Sequence, residues 1–131
     1  MIDLLLEVKQ RCRFDDVIGE TMNLHGRELT FLTAIAEDSA ISSRGLSEIS
    51  GLSPSRSSRV ISGLTLKGLI SINRDENDRR IINLNLTENG RKCVEGLNKE
   101  KLRCENELIA KLSEEEKETV ISGLKILLNK I

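Results

Sequence analysis

Apolar residues recur at helical spacing along most of this chain. From Ile2 to about Arg13, the residues Ile2, Leu5, Leu6 and Val8 share one side of a short amphipathic helix. Between Arg27 and Asp38, Leu29, Leu32, Ile35 and Ala36 step by three and four residues and predict a further helix. A compact one starts at Ser42-Ser43, which offers an N-cap, and turns Leu46 and Ile49 inward. Gly51-Leu52-Ser53-Pro54 breaks the pattern. Gly51 suits a left-handed turn, Ser53 a cap, and Pro54 the first helical position, where a missing N–H costs nothing. The next helix runs from Pro54 to about Lys67 and stops at Gly68. Its apolar stripe is Val60, Ile61 and Leu64; Ser55, Arg56, Ser58, Arg59 and Ser62 occupy the other side.

The period then shortens. Two strands are predicted, one around Leu69 to Asn73 and one from Ile81 to Leu86, where Ile82, Leu84 and Leu86 alternate with Asn83 and Asn85. Between them Arg74-Asp75-Glu76-Asn77-Asp78-Arg79-Arg80 is wholly polar and projects into solvent. Thr87 caps a long helix to about Leu112, and Ser113-Glu114-Glu115-Glu116, a capping-box pattern, opens a last one carrying Val120, Ile121, Leu124, Leu127, Leu128 and Ile131. The fold class expected is mostly α with a small β-hairpin wing (α+β). A winged helix-turn-helix fills residues 27–86 of one domain spanning 1–131, flanked by helical segments 1–13 and 88–131.

Composition narrows the function. Of 131 residues, 38% are hydrophobic and 31% charged, a soluble globular balance. No stretch approaches the roughly 18 apolar residues of a membrane span. The N-terminus has acids within its apolar run and no basic leader, so a cytoplasmic protein is expected. Phe14 and Phe31 are the only aromatics, too few to stack single-stranded bases. Cys12, Cys93 and Cys104 form no Cys-x-x-Cys pair and read as plain packed thiols. His25, alone, reads as a surface or helix-cap imidazole. No acid/base pair, nucleophile–base set, phosphate loop or metal cluster can be assembled, so no enzyme, cofactor or metal is expected.

The net charge of −1 hides a division along the chain. Residues 1–43 hold four basic and eight acidic side chains, residues 44–80 seven basic and four acidic, and the remainder nine of each. The middle segment can attract phosphate although the whole molecule is slightly acidic. A helix fits the major groove, and the Pro54–Lys67 segment has Arg56, Arg59 and Lys67 but no acid. Arg79 and Arg80 at the hairpin tip can reach a minor groove, whose potential attracts guanidinium groups. Asp78 is expected to hold an arginine by a bidentate pair. The competing reading is a winged protein-interaction or architectural module without operator specificity. Steep salt dependence, the mark of counterion release, separates the two.

Leu46-Ser47-Glu48-Ile49, Leu52 through Ile61, Leu64, Lys67-Gly68-Leu69-Ile70, and Asp78-Arg79-Arg80 ahead of Leu86-Thr87-Glu88-Asn89-Gly90 resemble the MarR family of bacterial transcriptional regulators. The resemblance is close over residues 27 to about 95. It implies a homodimer of winged domains on a pseudo-palindromic double-stranded operator, acting as a repressor relieved by a small-molecule or stress signal. By that resemblance Ser53, Ser55, Arg56, Ser58, Arg59 and Ser62 lie along the recognition helix, with Arg74, Asp78, Arg79 and Arg80 in the wing. Ile72 stands where the family often has a basic residue, which removes one phosphate contact. Cys12 is similar in position to the reactive thiol of a hydroperoxide-sensing branch and is a candidate redox site, without the tyrosines that accompany it there.

Dimerisation has its own support in the residues. Ile2, Leu5 and Leu6 at one end, with Leu124, Leu127, Leu128 and Ile131 at the other, are more apolar surface than so small a domain covers alone. Each buried Leu or Ile is worth about 1.5–3 kcal/mol, and a two-fold interface recovers that.

Overall fold

The computed structural model describes residues 1–131, the side chains of Phe14, Asp15 and Ile18 excepted. They form two compact units, Met1–Asn98 and Lys99–Ile131. The first contains α1 (Ile2–Arg11), α2 (Phe14–Met22), α3 (Gly26–Glu37), α4 (Ser43–Ser50), α5 (Pro54–Leu66), β1 (Ile70–Arg74), β2 (Ile82–Leu86) and the start of α6 (Glu88–Ile109). The second holds the rest of α6 and α7 (Glu114–Lys130).

Among the described side chains, the core of the first unit is aliphatic around one ring. Phe31, Leu32 and Ile35 of α3 meet Leu46 of α4, Ile61 and Leu64 of α5, Ile70 and Leu84 of the strands, Leu24 and Leu97. The strands pair antiparallel, with Ile70 opposite Leu86, Ile72 opposite Leu84 and Arg74 opposite Ile82. A bridge from Ser42 to Asn83 ties the hairpin to the start of α4.

Two expectations need correction. The first helix ends at Arg11 rather than Arg13, and Cys12 follows it in an extended conformation. A separate helix, α2, then occupies a stretch for which no element is predicted above. The signal is present: the apolar residues of this stretch stand at 14, 17, 18 and 22, at helical spacing, among three acids and Gly19. Ile49, expected inside, is 66% exposed. The inward side of α4 runs instead through Ser43, Leu46, Ser47 and Ser50, about a third of a turn away. Those serines are small enough to approach α5 and they bind the following turn: Ser47 Oγ donates to the Leu52 carbonyl (2.8 Å), and Ser50 Oγ accepts from Leu52 N (3.3 Å).

Gly51 (φ 66°) and Gly68 (φ 70°) take the left-handed conformation at the ends of α4 and α5. At the entry to α6, Thr87 Oγ1 donates to the Gly68 carbonyl (2.6 Å) and accepts from Gly90 N (3.0 Å), while Thr87 N donates to the Leu69 carbonyl (3.0 Å). The wing base and the first turn of α6 are thereby joined.

In the second unit the capping box at Ser113 is reciprocal: Glu116 N donates to Ser113 Oγ (3.1 Å) and Ser113 N donates to Glu116 Oε2 (2.8 Å). No residue of α7 is buried within the chain.

Candidate nucleic-acid interface

The N-terminus of α5 is built by Ser53 and Pro54. Ser53 Oγ accepts from Arg56 N (3.3 Å), one of the donors that a helix start leaves unpaired, and Pro54 occupies the first turn. Downstream, Ser55, Ser58, Arg59 and Ser62 recur at i, i+3, i+4 and i+7, all exposed, with Arg56 exposed beside them. Neither Arg56 nor Arg59 enters an ion pair among the described residues. Their guanidinium groups carry planar, multiple donors suited to base edges and phosphates. Ser57, in the middle of the same segment, points inward; its hydroxyl is buried and has no hydrogen-bond partner among the described residues.

Lys67 does not belong to this surface. Its Nζ donates to Glu28 Oε1 (2.9 Å) and to the Asn23 carbonyl (2.6 Å), which turns it toward α3. The cationic side of α5 is therefore Arg56 and Arg59 alone. The sign that could have found Glu28 is a carboxylate in the first turn of a helix whose next positions, Leu29 and Leu32, belong to the apolar stripe.

The hairpin tip is ordered by aspartates. Asp75 Oδ1 accepts from the N–H groups of Asn77 (2.7 Å) and Asp78 (3.2 Å), and Ile81 N donates to the Asp78 carbonyl (3.0 Å). Asp78 makes no fork with a guanidinium, contrary to expectation. One oxygen, Oδ1, accepts from both Arg80 N (3.0 Å) and Arg80 Nε (3.3 Å). The two residues sit two positions apart in a turn, where an aspartate reaches its neighbour's backbone more readily than the far end of its side chain. Arg74 Nη1 donates to the Arg79 carbonyl (2.9 Å), so Arg74 braces the backbone that carries Arg79. Arg80 is held by Asp78, and the side chain of Arg79 is exposed with no ion pair among the described residues.

The remaining candidate residues divide between the two units. Ile2, Leu5 and Leu6 lie on α1, which buries none of its residues. Leu124 and Leu128 lie exposed on α7, with Leu127 half-buried and Ile131 exposed at its end. Cys12 is exposed, while Cys93 and Cys104 are half-buried. Burial pushes the Cys93 thiol up from its ordinary value, and its Sγ lies 4.0 Å from Met22 Sδ. Among the described residues no group of three or more His, Cys, Asp or Glu side chains could hold a metal ion. No described helix is long and apolar enough to cross a membrane.

Three comparisons bear on this geometry. YwaE, an HTH-type transcriptional regulator of Bacillus subtilis (strain 168), is 29% identical over 114 residues, which are 87% of this chain and 66% of YwaE. YdgJ, an HTH-type transcriptional regulator of the same organism, is 32% identical over 103 residues, 79% of this chain and 63% of YdgJ. The alignments thus span about two thirds of the length of these relatives. The structure of the S. aureus MepR–DNA complex superposes with a TM-score of 0.83 at 21% identity, covering 100% of this chain and 98% of that one, which shows the same fold. Residues 22–81, from the end of α2 to the residue before β2, match the MarR family. With two helix-turn-helix regulators as relatives and a winged fold around the matched segment, this chain is similar to the MarR family.

Proposed function

We propose that the protein is a sequence-specific regulator of transcription that binds double-stranded DNA as a homodimer, in the cytoplasm, and catalyses no reaction. The observation that carries this reading is the exposed, acid-free side of α5, with Arg56 and Arg59 outside any ion pair among the described residues, followed by a braced hairpin whose Arg79 is likewise in none. Ser55, Ser58, Arg59 and Ser62 would read base edges in the major groove, with Arg56 on an edge or a phosphate. Arg79 would enter the minor groove and Asp78 would hold the tip in shape. The complex of the structural neighbour MepR with DNA supports the same use of the fold. The uncovered apolar residues of α1 and α7 support pairing of two copies, which matches the two-fold symmetry of a pseudo-palindromic operator. Action as a repressor that a small-molecule or stress signal relieves follows from the family resemblance.

Salt tests the reading. Affinity for a duplex selected from a random library by the protein should fall steeply with ionic strength. Some six phosphate contacts per dimer would give roughly a thousandfold loss between 50 and 200 mM salt. An affinity that is flat across this range, or no duplex binding at all, would contradict an interface built on phosphate contacts.

A further inference from the structure

The ion pair between Lys67 and Glu28 joins three helix ends. Lys67 is the C-cap of α5, Glu28 stands in the first turn of α3, and the Asn23 carbonyl that Lys67 also reaches belongs to the left-handed C-cap of α2. The N–H of His25 donates to the same Glu28 oxygen (3.3 Å). Glu28 is 4% exposed, and its second oxygen is buried with no hydrogen-bond partner among the described residues. That oxygen lies against α5: a Cβ added at Gly63 would stand 3.5 Å from it.

A buried carboxylate is costly, and an apolar residue of like volume often serves stability as well or better. An ion pair adds direction, because its hydrogen bonds form only in one mutual placement of the helices. The 13 residues of α5 extend about 20 Å, so tilting the helix by about 5° about its Lys67 end moves Ser55 and Arg56 by about 1.5 Å. Base-edge hydrogen bonds fail at such an error, since donor–acceptor distances are confined to about 2.7–3.2 Å. Long arginine and lysine side chains on phosphates follow it.

We infer that Glu28 and Lys67 are positioning residues for sequence recognition, fixing the pitch of α5 against the α2–α3 corner without touching DNA. This rests on the DNA-binding function proposed above. Loss of the pair should therefore cost discrimination between sequences rather than attraction to DNA in general.

The test compares wild type, Glu28→Gln, Lys67→Met and the double variant at a temperature where circular dichroism shows all four folded. Each is titrated with the duplex that wild type selects from a random library and with a shuffled duplex of the same composition. The double variant leaves no buried charge and carries the test if a single variant does not fold. The expected result is a loss of roughly tenfold on the selected duplex, the scale of one base contact, with the shuffled duplex unchanged. The loss should be about equal in the single and double variants, because the two residues act as one unit. Equal losses on both duplexes, no loss on either, or a gain on both for Glu28→Gln through a Lys67 freed to meet phosphate would each overturn the inference. Failure of wild type to prefer any duplex would instead remove the function on which it rests.

Discussion

Gly90→Ala is expected to unfold the joint between the wing and α6. An added Cβ would run into the Leu69 carbonyl oxygen, with the carbonyl carbon 3.0 Å and Leu86 Cδ2 3.3 Å away. The carbonyl cannot step aside freely, because it accepts the hydrogen bond from Thr87 N, and Thr87 in turn caps Gly90. Overpacking against movable side chains costs about 1–3 kcal/mol, and here the obstacle is backbone, so a loss of about 3 kcal/mol or more follows. For a unit of this size that lowers Tm by more than about 10 °C. Gly26→Ala, with nothing within 4 Å of its added Cβ, is the control and should stay within about 0.5 kcal/mol of wild type. Thermal melts of the two variants decide it. A Gly90→Ala melt that overlays wild type would mean that the Leu69–Gly90 approach is looser than the structure has it.

Arg79→Ala should weaken operator binding at least tenfold with the melting curve unchanged. The backbone of Arg79 is braced by Arg74 while its side chain is exposed, so truncation removes a cation without disturbing the tip. A tenfold change corresponds to about 1.4 kcal/mol, and a dimer loses two guanidinium groups, so a loss of that size at each half-site approaches a hundredfold. Arg80→Ala should cost less, because that guanidinium is already engaged by Asp78. Gel-shift titrations at one fixed salt concentration read both variants. An Arg79→Ala protein with wild-type affinity would remove the wing from the interface.

Much of the winged arrangement was legible because punctuation and period agree. Gly51, Ser53-Pro54 and Gly68 bracket α5, and the alternation from Ile82 to Leu86 marks a strand with one buried side. What stayed hidden depends on contacts between distant parts of the chain. The exposure of Ile49 follows from serines taking the inward side of α4, which hydrophobicity does not register. Lys67 looked like part of a cationic surface, since nothing local shows that Glu28, 39 residues earlier, lies beside it. The close approach at Gly90 joins two backbones far apart in sequence. The exposed side of α5, with Ser55, Arg56, Ser58, Arg59 and Ser62, was legible from helical spacing alone. The division of labour in the wing, where Arg74 and Asp78 brace and Arg79 is in no ion pair among the described residues, needed the hydrogen bonds.

The measurement that bears most directly on the interface is dimethyl sulfate probing of the selected duplex with wild-type protein bound. The reagent reports guanine N7 in the major groove and adenine N3 in the minor groove. Two dyad-related patches of protected guanine N7, centred about one helical turn or a multiple of it apart and flanked by protected adenine N3, are predicted for paired α5 helices with Arg79 beside them. Protection confined to the minor groove, or a single patch without a dyad, would contradict the account.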